Sequence, residues 1–367
     1  MTQNDQQWTV QKLLDWTRTY LQKANVESAR LCSEILLAQS LGCKRMDLYL
    51  RYNYLPTPAE LAEFRALVKR AVGHEPVAYL TGVKEFYSLD FEVSPAVLIP
   101  RPETEIIVEQ AINEIRELTG KADKLRSANA QSQVETKTQD LDKLQDQFIA
   151  DQQSNAVAGA PDSQTTQNAQ QAPSDQQAVS QPQITREKSS AGAQSNREIF
   201  IWDICTGSGC VPVAIAHNEK SARIFASDIC ADALAVAARN VQKHKLDSRV
   251  KLFQADLAQL PAELANQQFD IITSNPPYVG TGDQLGAGVE KEPAKALFAG
   301  ADGLDLIRNL VLGVAQHLKP GGLFIMEFGQ GQADDIRDIV LATGKFAEPA
   351  FIKDFQDIER TMTVRKL

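Results

Sequence analysis

The chain of 367 residues is poor in cysteine, histidine, aromatic side chains and net positive charge, and it contains no long apolar run. Each shortage excludes a class of protein. Its five cysteines (Cys32, Cys43, Cys205, Cys210 and Cys230) are odd in number and form no Cys-x-x-Cys pair. Neither a disulfide framework nor a zinc site is therefore expected, and the thiols are expected to be reduced and mostly buried. The four histidines (His74, His217, His244 and His317) have no partner at metal-ligand spacing, so no metal and no catalytic imidazole is expected. A net charge of −9 argues against affinity drawn from a broad phosphate-neutralising surface, and direct nucleic-acid binding is not expected. No apolar stretch approaches the ~18 residues of a membrane span. The polar opening from Met1 to Gln7 lacks a basic stretch followed by an apolar core, so no targeting segment is read there. The expectation is a soluble, cytoplasmic monomer with protein or small-molecule partners.

What is present divides into stretches of different period. Residues 8 to 73 are helical in pattern: Val10, Leu13, Leu14, Thr17, Tyr20 and Leu21 share one face, and Ala29, Cys32, Ile35, Leu36 and Gln39 another. Thr57-Pro58-Ala59-Glu60 combines a capping box with proline at the first helical position, and Gly73 follows as a stop. Residues 1–80 thus form a helical bundle, which serves either stability or substrate docking. From Gly82 the period becomes two through Val83, Phe86, Leu89, Phe91 and Val93, with Ser88 at the turn, so 81–105 reads as a β-hairpin and linker. The linker ends in Pro100-Arg101-Pro102-Glu103-Thr104-Glu105. Its Arg101 and Glu103 suit either a surface turn or the rim of a site, and Thr104 is placed to cap the next helix.

Between 121 and 197 the composition shifts to Gln, Ser, Ala, Asp and Asn, with Phe148 the only aromatic residue. Such a stretch cannot bury enough apolar surface to fold and reads as a disordered insert, whose first part (Leu141, Leu144, Phe148) can extend a helix. The flanking segments, 106–120 and 198–367, form one catalytic domain on this reading.

Ile199–Ile204, then Cys205-Thr206-Gly207-Ser208-Gly209, then Cys210–Ala216 is strand, glycine loop and helix. Gly207 and Gly209 admit a ligand close to the backbone at a helix N-terminus. The third glycine of the dinucleotide pattern would fall at Pro212, which disfavours NAD. Two further strands, Arg223–Ser227 and Val250–Ala255, end in Asp228 and Asp256. Asp228 is placed for a ribose, and Asp256 or its adjacent backbone for an adenine amine. Strands alternating with helices, and closing on a terminal pair at Phe351–Lys353 and Thr361–Val364, give a twisted, mostly parallel α/β sheet.

The stretch Ser274-Asn275-Pro276-Pro277-Tyr278 follows the buried strand Phe269–Thr273, at the end where open α/β sheets bind ligands. Two consecutive prolines donate no hydrogen bond and hold φ fixed, so the Asn275 side-chain oxygen and the Pro276 carbonyl can each accept one N–H of a planar –NH2 group. The Tyr278 ring can pack on that group. An ordinary Asn-Pro turn is the bland alternative.

Together, Asp203-x-x-x-Gly207-x-Gly209, Asp228 and Asn275-Pro276-Pro277-Tyr278 resemble class I S-adenosylmethionine methyltransferases that modify planar nitrogens. Within these, the helical front, the hairpin, the Arg101 stretch and Glu292-Pro293 resemble the release factor glutamine methyltransferase family. The resemblance implies an α/β Rossmann-like class I methyltransferase sheet with an N-terminal helical bundle and a β-hairpin linker. It also implies S-adenosyl-L-methionine as cofactor and methyl transfer to the side-chain amide of the glutamine in a release factor's Gly-Gly-Gln loop. Asp203, Cys205, Thr206, Gly207, Ser208 and Gly209, with Asp228, Asp256, Leu257 and Asn275, are the implied cofactor contacts. Asn275, Pro276 and Tyr278 are the expected catalytic group, joined at the substrate by Pro277, Arg101 and Glu103. Two departures bear on cofactor affinity: Cys205 stands where the family usually has glycine, and Leu257 where a bulkier residue is common. The rival readings are glutamine methylation of a ribosomal protein, adenine methylation of nucleic acid, and a non-catalytic module.

Overall fold

The computed structural model describes residues 7–121 and 197–367. The segment read as an insert, with its helical extension through Leu141, Leu144 and Phe148, lies outside the described residues apart from its two ends.

The first part is helical: α1 (Val10–Lys23), α2 (Ala29–Ser40), the single turn α3 (Asp47–Leu50), α4 (Pro58–Val72) and α5 (Val77–Thr81). Val10, Leu13 and Leu21 of α1 meet Leu36 and Leu37 of α2 and Phe64, Leu67 and Val68 of α4 in one buried cluster. Each such side chain contributes about 1.5–3 kcal/mol by leaving water. Tyr20 and Gln39, assigned to inward faces by periodicity, are exposed, while α2, packed against α1, α4 and α5, has buried residues on more than one of its sides. The capping box at α4 is present in both directions, Glu60 N–H to Thr57 Oγ1 and Thr57 N–H to Glu60. Gly73 ends that helix at φ −76°, and it is His74 that takes the left-handed conformation, at φ +59°.

The hairpin pairs β1 (Val83–Phe86) with β2 (Leu89–Glu92) across Tyr87 and Ser88, both at positive φ (+51° and +59°). A two-residue turn of this hand matches the twist of the strands it joins. The Tyr87 N–H is held by Glu105 Oε1 at 2.8 Å, which ties the turn to the start of α6 (Glu105–Leu118).

The remaining elements alternate: β3 (Ile199–Ile204), α7 (Cys210–Asn218), β4 (Ala222–Asp228), α8 (Ala231–Lys243), β5 (Val250–Gln254), β6 (Phe269–Ser274), α9 (Asp305–His317), β7 (Leu318–Glu327), α10 (Ala333–Ala342), β8 (Ala350–Lys353) and β9 (Glu359–Arg365). They build a seven-stranded sheet in the order β5-β4-β3-β6-β7-β9-β8. β3 to β7 run parallel and β9 lies antiparallel between β7 and β8. Successive strand residues feed opposite faces. Ile201, Ile271 and Ile325 pack toward α6 and α7, whereas Trp202, Ile272 and Phe324 pack toward α9 and α10. All six residues of β6 are buried, and its Asp270 is neutralised by Arg197 at 2.6 Å and Lys319 at 2.7 Å.

From β3 the chain winds outward to β4 and β5, and on the other side β6 is followed by β7. The loops at the carboxyl ends of β3 and β6 therefore diverge and leave a crevice between them, the place where such sheets hold ligands.

Candidate active site

The crevice is a cavity of about 580 Å³, within the range of small-ligand pockets. Its floor is built by the ends of four parallel strands. Asp203 of β3 is opposite Thr273 of β6, and the Thr273 hydroxyl donates to Asp203 Oδ1 at 2.6 Å. Ser274 Oγ donates to the Ile204 carbonyl at 2.8 Å and Trp202 Nε1 to Ser227 Oγ at 2.9 Å, so the ends of β3, β4 and β6 are fastened to one another. Burial pushes the Asp203 carboxyl up to about 7, against the pull of the Thr206 and Thr273 hydroxyls.

The loop Cys205 to Gly209 turns across this floor. The Gly207 N–H donates to Asp228 Oδ2 at 2.9 Å, and the Cys230 N–H to Asp228 Oδ1 at 2.9 Å. Asp228 is thus fixed by the backbone of two loops, with burial raising its carboxyl above the ordinary range. Gly209, at φ +76°, begins α7, and a side chain there would meet Ala237 of α8 at 3.1 Å. Cys205 and Leu257 also lie in the left-handed region, at φ +61° and +45°. A side chain at such φ carries strain that glycine avoids.

Of the residues singled out in the sequence, the cavity is lined by Arg101, Asp203, Cys205, Thr206, Gly207, Ser208, Asp228, Asp256, Leu257, Asn275 and Pro277. Gly209, Glu103, Pro276 and Tyr278 are not on its wall. The Tyr278 hydroxyl is turned to Glu327 Oε1 at 3.1 Å. Asn275 donates from Nδ2 to Thr104 Oγ1 at 3.1 Å, and the Thr104 hydroxyl donates to Glu327 Oε2 at 2.6 Å. Among the described residues nothing donates to Asn275 Oδ1. The expectation that Thr104 caps α6 with its side chain is overturned: Pro102–Thr104 is a 3-10 turn running into the helix, and the hydroxyl serves Glu327 instead.

Sequence reasoning missed three contributors. Glu327, only 1% exposed, ends β7 as Asp228 ends β4, and that shared position was the available signal. Asn240 of α8, fully buried, exchanges hydrogen bonds with both backbone groups of Glu92 (2.7 and 3.0 Å) and donates to the Ser208 carbonyl at 2.9 Å. It joins the hairpin to the glycine loop, and nothing local in the sequence marks it. Glu292, noted for its place beside Pro293, accepts the Ile99 N–H at 2.9 Å and pairs with Arg101. It thereby holds Val97–Arg101 and Pro293–Phe298 together as the roof of the cavity.

The lining suits a nucleoside-bearing cation. Asp203, Asp228, Asp232 and Asp256 face only Arg101 and Lys295 among the charged residues of the lining. A methyl donor of that charge fits these residues.

Comparison with known proteins agrees. Residues 12–82 match the family model described as PrmC N-terminal domain, and residues 193–330 the one described as methyltransferase small domain. The release factor glutamine methyltransferase of Geobacter sulfurreducens is 33% identical over 365 residues, covering 99% of this chain and 98% of the relative. That of Rhodopirellula baltica is 33% identical over 368 residues, covering 100% and 99%. A bifunctional methyltransferase of Rickettsia felis is 27% identical over 359 residues, covering 97% of this chain and 58% of its own length. The sheet order, with β9 inserted antiparallel between β7 and β8, is that of the class I methyltransferase fold. By full-length identity and by this architecture, the chain belongs to the release factor glutamine methyltransferase family.

Proposed function

We propose that this protein transfers a methyl group from S-adenosylmethionine to the side-chain amide nitrogen of the glutamine in a release factor's Gly-Gly-Gln loop. The observation that carries the reading is the Asn275 carboxamide, which lines the cavity at the end of β6, is held through Nδ2, and offers an uncommitted Oδ1.

Bound S-adenosylmethionine supplies an electrophilic sulfonium methyl. The residues that would hold it are the Thr206–Ser208 backbone, Asp228 and the Asp256-Leu257 segment. A carboxamide nitrogen is a poor nucleophile because its lone pair is delocalised into the carbonyl. Asn275 Oδ1 accepts one of its hydrogens, which orients the nitrogen and favours lone-pair localisation on it. Pro276 and Pro277 restrict this stretch of backbone before substrate arrives. Positioning of this kind lowers barriers by about 7–11 kcal/mol in favourable cases.

Labelled S-adenosylmethionine with intact release factor, and with a release factor whose loop glutamine is replaced by alanine, tests the reading. Label is expected on the first only. Asn275→Ala is expected to lower kcat by about 10²–10³-fold, the range seen when one preorganised polar contact is removed, while most of the cofactor affinity measured by calorimetry remains. Near-normal turnover in Asn275→Ala would sink the acceptor role.

A further inference from the structure

We propose that Thr104 and Glu327 are positioning residues that select the orientation of the Asn275 carboxamide, keeping its oxygen toward the cavity and its nitrogen away. The inference rests on the amide methyl transfer proposed above and deepens it. A substrate –NH2 brings donors, so Asn275 must present an acceptor, and a carboxamide turned by half a revolution presents donors instead.

Three bonds decide the orientation. Glu327 is reached by two hydroxyls, Thr104 at Oε2 (2.6 Å) and Tyr278 at Oε1 (3.1 Å). An ionised carboxylate only accepts, so each hydroxyl spends its single hydrogen on Glu327. The Thr104 oxygen is then left with lone pairs alone, and the group 3.1 Å away on Asn275 must be the donor Nδ2. Direction of donation is thus passed from Glu327 through Thr104 to Asn275. Both intermediaries are shielded from water, which would otherwise scramble the pattern: Thr104 is 3% and Glu327 1% exposed. The three side chains come from the turn before α6, the end of β7 and the end of β6, so only the folded sheet brings them together.

A protonated Glu327 reverses the logic. Its O–H competes as donor to Thr104, whose own hydrogen is released to face Asn275 and favours the opposite orientation. Burial pushes Glu327 up to about 7, with Glu103 of the 3-10 turn raising it further, and with the Thr104 and Tyr278 hydroxyls and Arg360 of β9 opposing. The Cys210 thiol at the start of α7 is also within its field.

The test uses the full-length protein with labelled S-adenosylmethionine and release factor. Thr104→Val, which keeps shape and removes the hydroxyl, is expected to lower kcat by about 10- to 100-fold, as outer-shell partners of metal ligands do. The cofactor Kd should stay unchanged, and Thr104→Ser should rescue turnover to within about threefold, as expected where the bonding hydroxyl is retained. The wild-type kcat is expected to fall on the acid side of a limb near pH 7, and Glu327→Gln, which cannot ionise, is expected to lose that limb. Glu327→Gln also serves if Thr104→Val does not fold. Wild-type turnover in Thr104→Val, failure of serine to rescue, or an unaltered acid limb in Glu327→Gln would each overturn the inference while leaving the methyl transfer itself standing. A wild type that leaves the loop glutamine unlabelled would remove both.

Discussion

At the scale of single residues, backbone conformation separates the loop positions that accept a side chain from those that do not. Gly209 must hold φ +76° and let α7 approach Ala237 of α8, where a Cβ would sit 3.1 Å from another Cβ. Gly209→Ala therefore meets two penalties, the left-handed backbone and a contact tighter than packed interiors tolerate. A loss of about 2 kcal/mol in chemical denaturation is expected, the sum of a left-handed penalty of about 1 and a comparable packing cost. Cys205 shows the other side of this rule, because it occupies φ +61° with its side chain in place. The Gly-x-Gly spacing made Gly207 and Gly209 readable from the sequence. The hydroxyl of Thr104 was not: a threonine before a helix has an ordinary local use as a cap, and its partner Glu327 lies 223 positions away.

At the scale of elements, the long segment between β6 and α9 has only short 3-10 turns of its own and is held by bonds between its own two ends and by ties to other elements. Val279 and Ala299 exchange backbone hydrogen bonds with Leu297 and Val279 (2.8 and 2.9 Å), and Glu292 fastens the segment to Ile99 and Arg101. Tyr79 of α5 in turn donates to the Val97 carbonyl at 2.6 Å, so the helical front is tied to the roof of the cavity. Glu292→Ala leaves a half-exposed Arg101 without its anion and a buried Ile99 N–H without an acceptor. A cost of about 3 kcal/mol is expected from breaking a buried pair, together with weaker cofactor binding by calorimetry, since both fastened strands of chain line the cavity. Glu292→Gln, which can still accept from Ile99, is expected to fall between. The helices and strands themselves were legible because each shows an unbroken period. This segment has none, and its course depends on what it is fastened to.

Across the whole molecule, buried acids at the ends of parallel strands set a pH response. Asp203 and Glu327, ordinarily at 3.8 and 4.5, are both pushed up to about 7 by burial. Between about pH 4 and 7 the folded protein therefore keeps protons that the unfolded chain has released, and the contribution of these groups to stability declines as pH rises through that window. Asp302 acts in the opposite sense at lower pH, since Arg308 holds it down at about 2 and its contribution is lost on acidification. Asp203→Asn, which still accepts from Thr273, is expected to flatten the decline measured by denaturation between pH 5 and 7.5. An unchanged slope would place the response elsewhere. The amino-acid order by itself determined the α/β class, the helical front, the hairpin, and the strand-terminal positions of Asp203, Asp228, Asp256 and Asn275, because periodicity and turn chemistry are local properties of the chain. Only the tertiary structure decided which hydroxyl accepts from Asn275, which glutamate fastens the roof, and that Tyr278 and Pro276 stand off the cavity wall. Those are contacts between segments far apart in sequence, and a hydrogen bond's direction is settled by the partner that folding delivers.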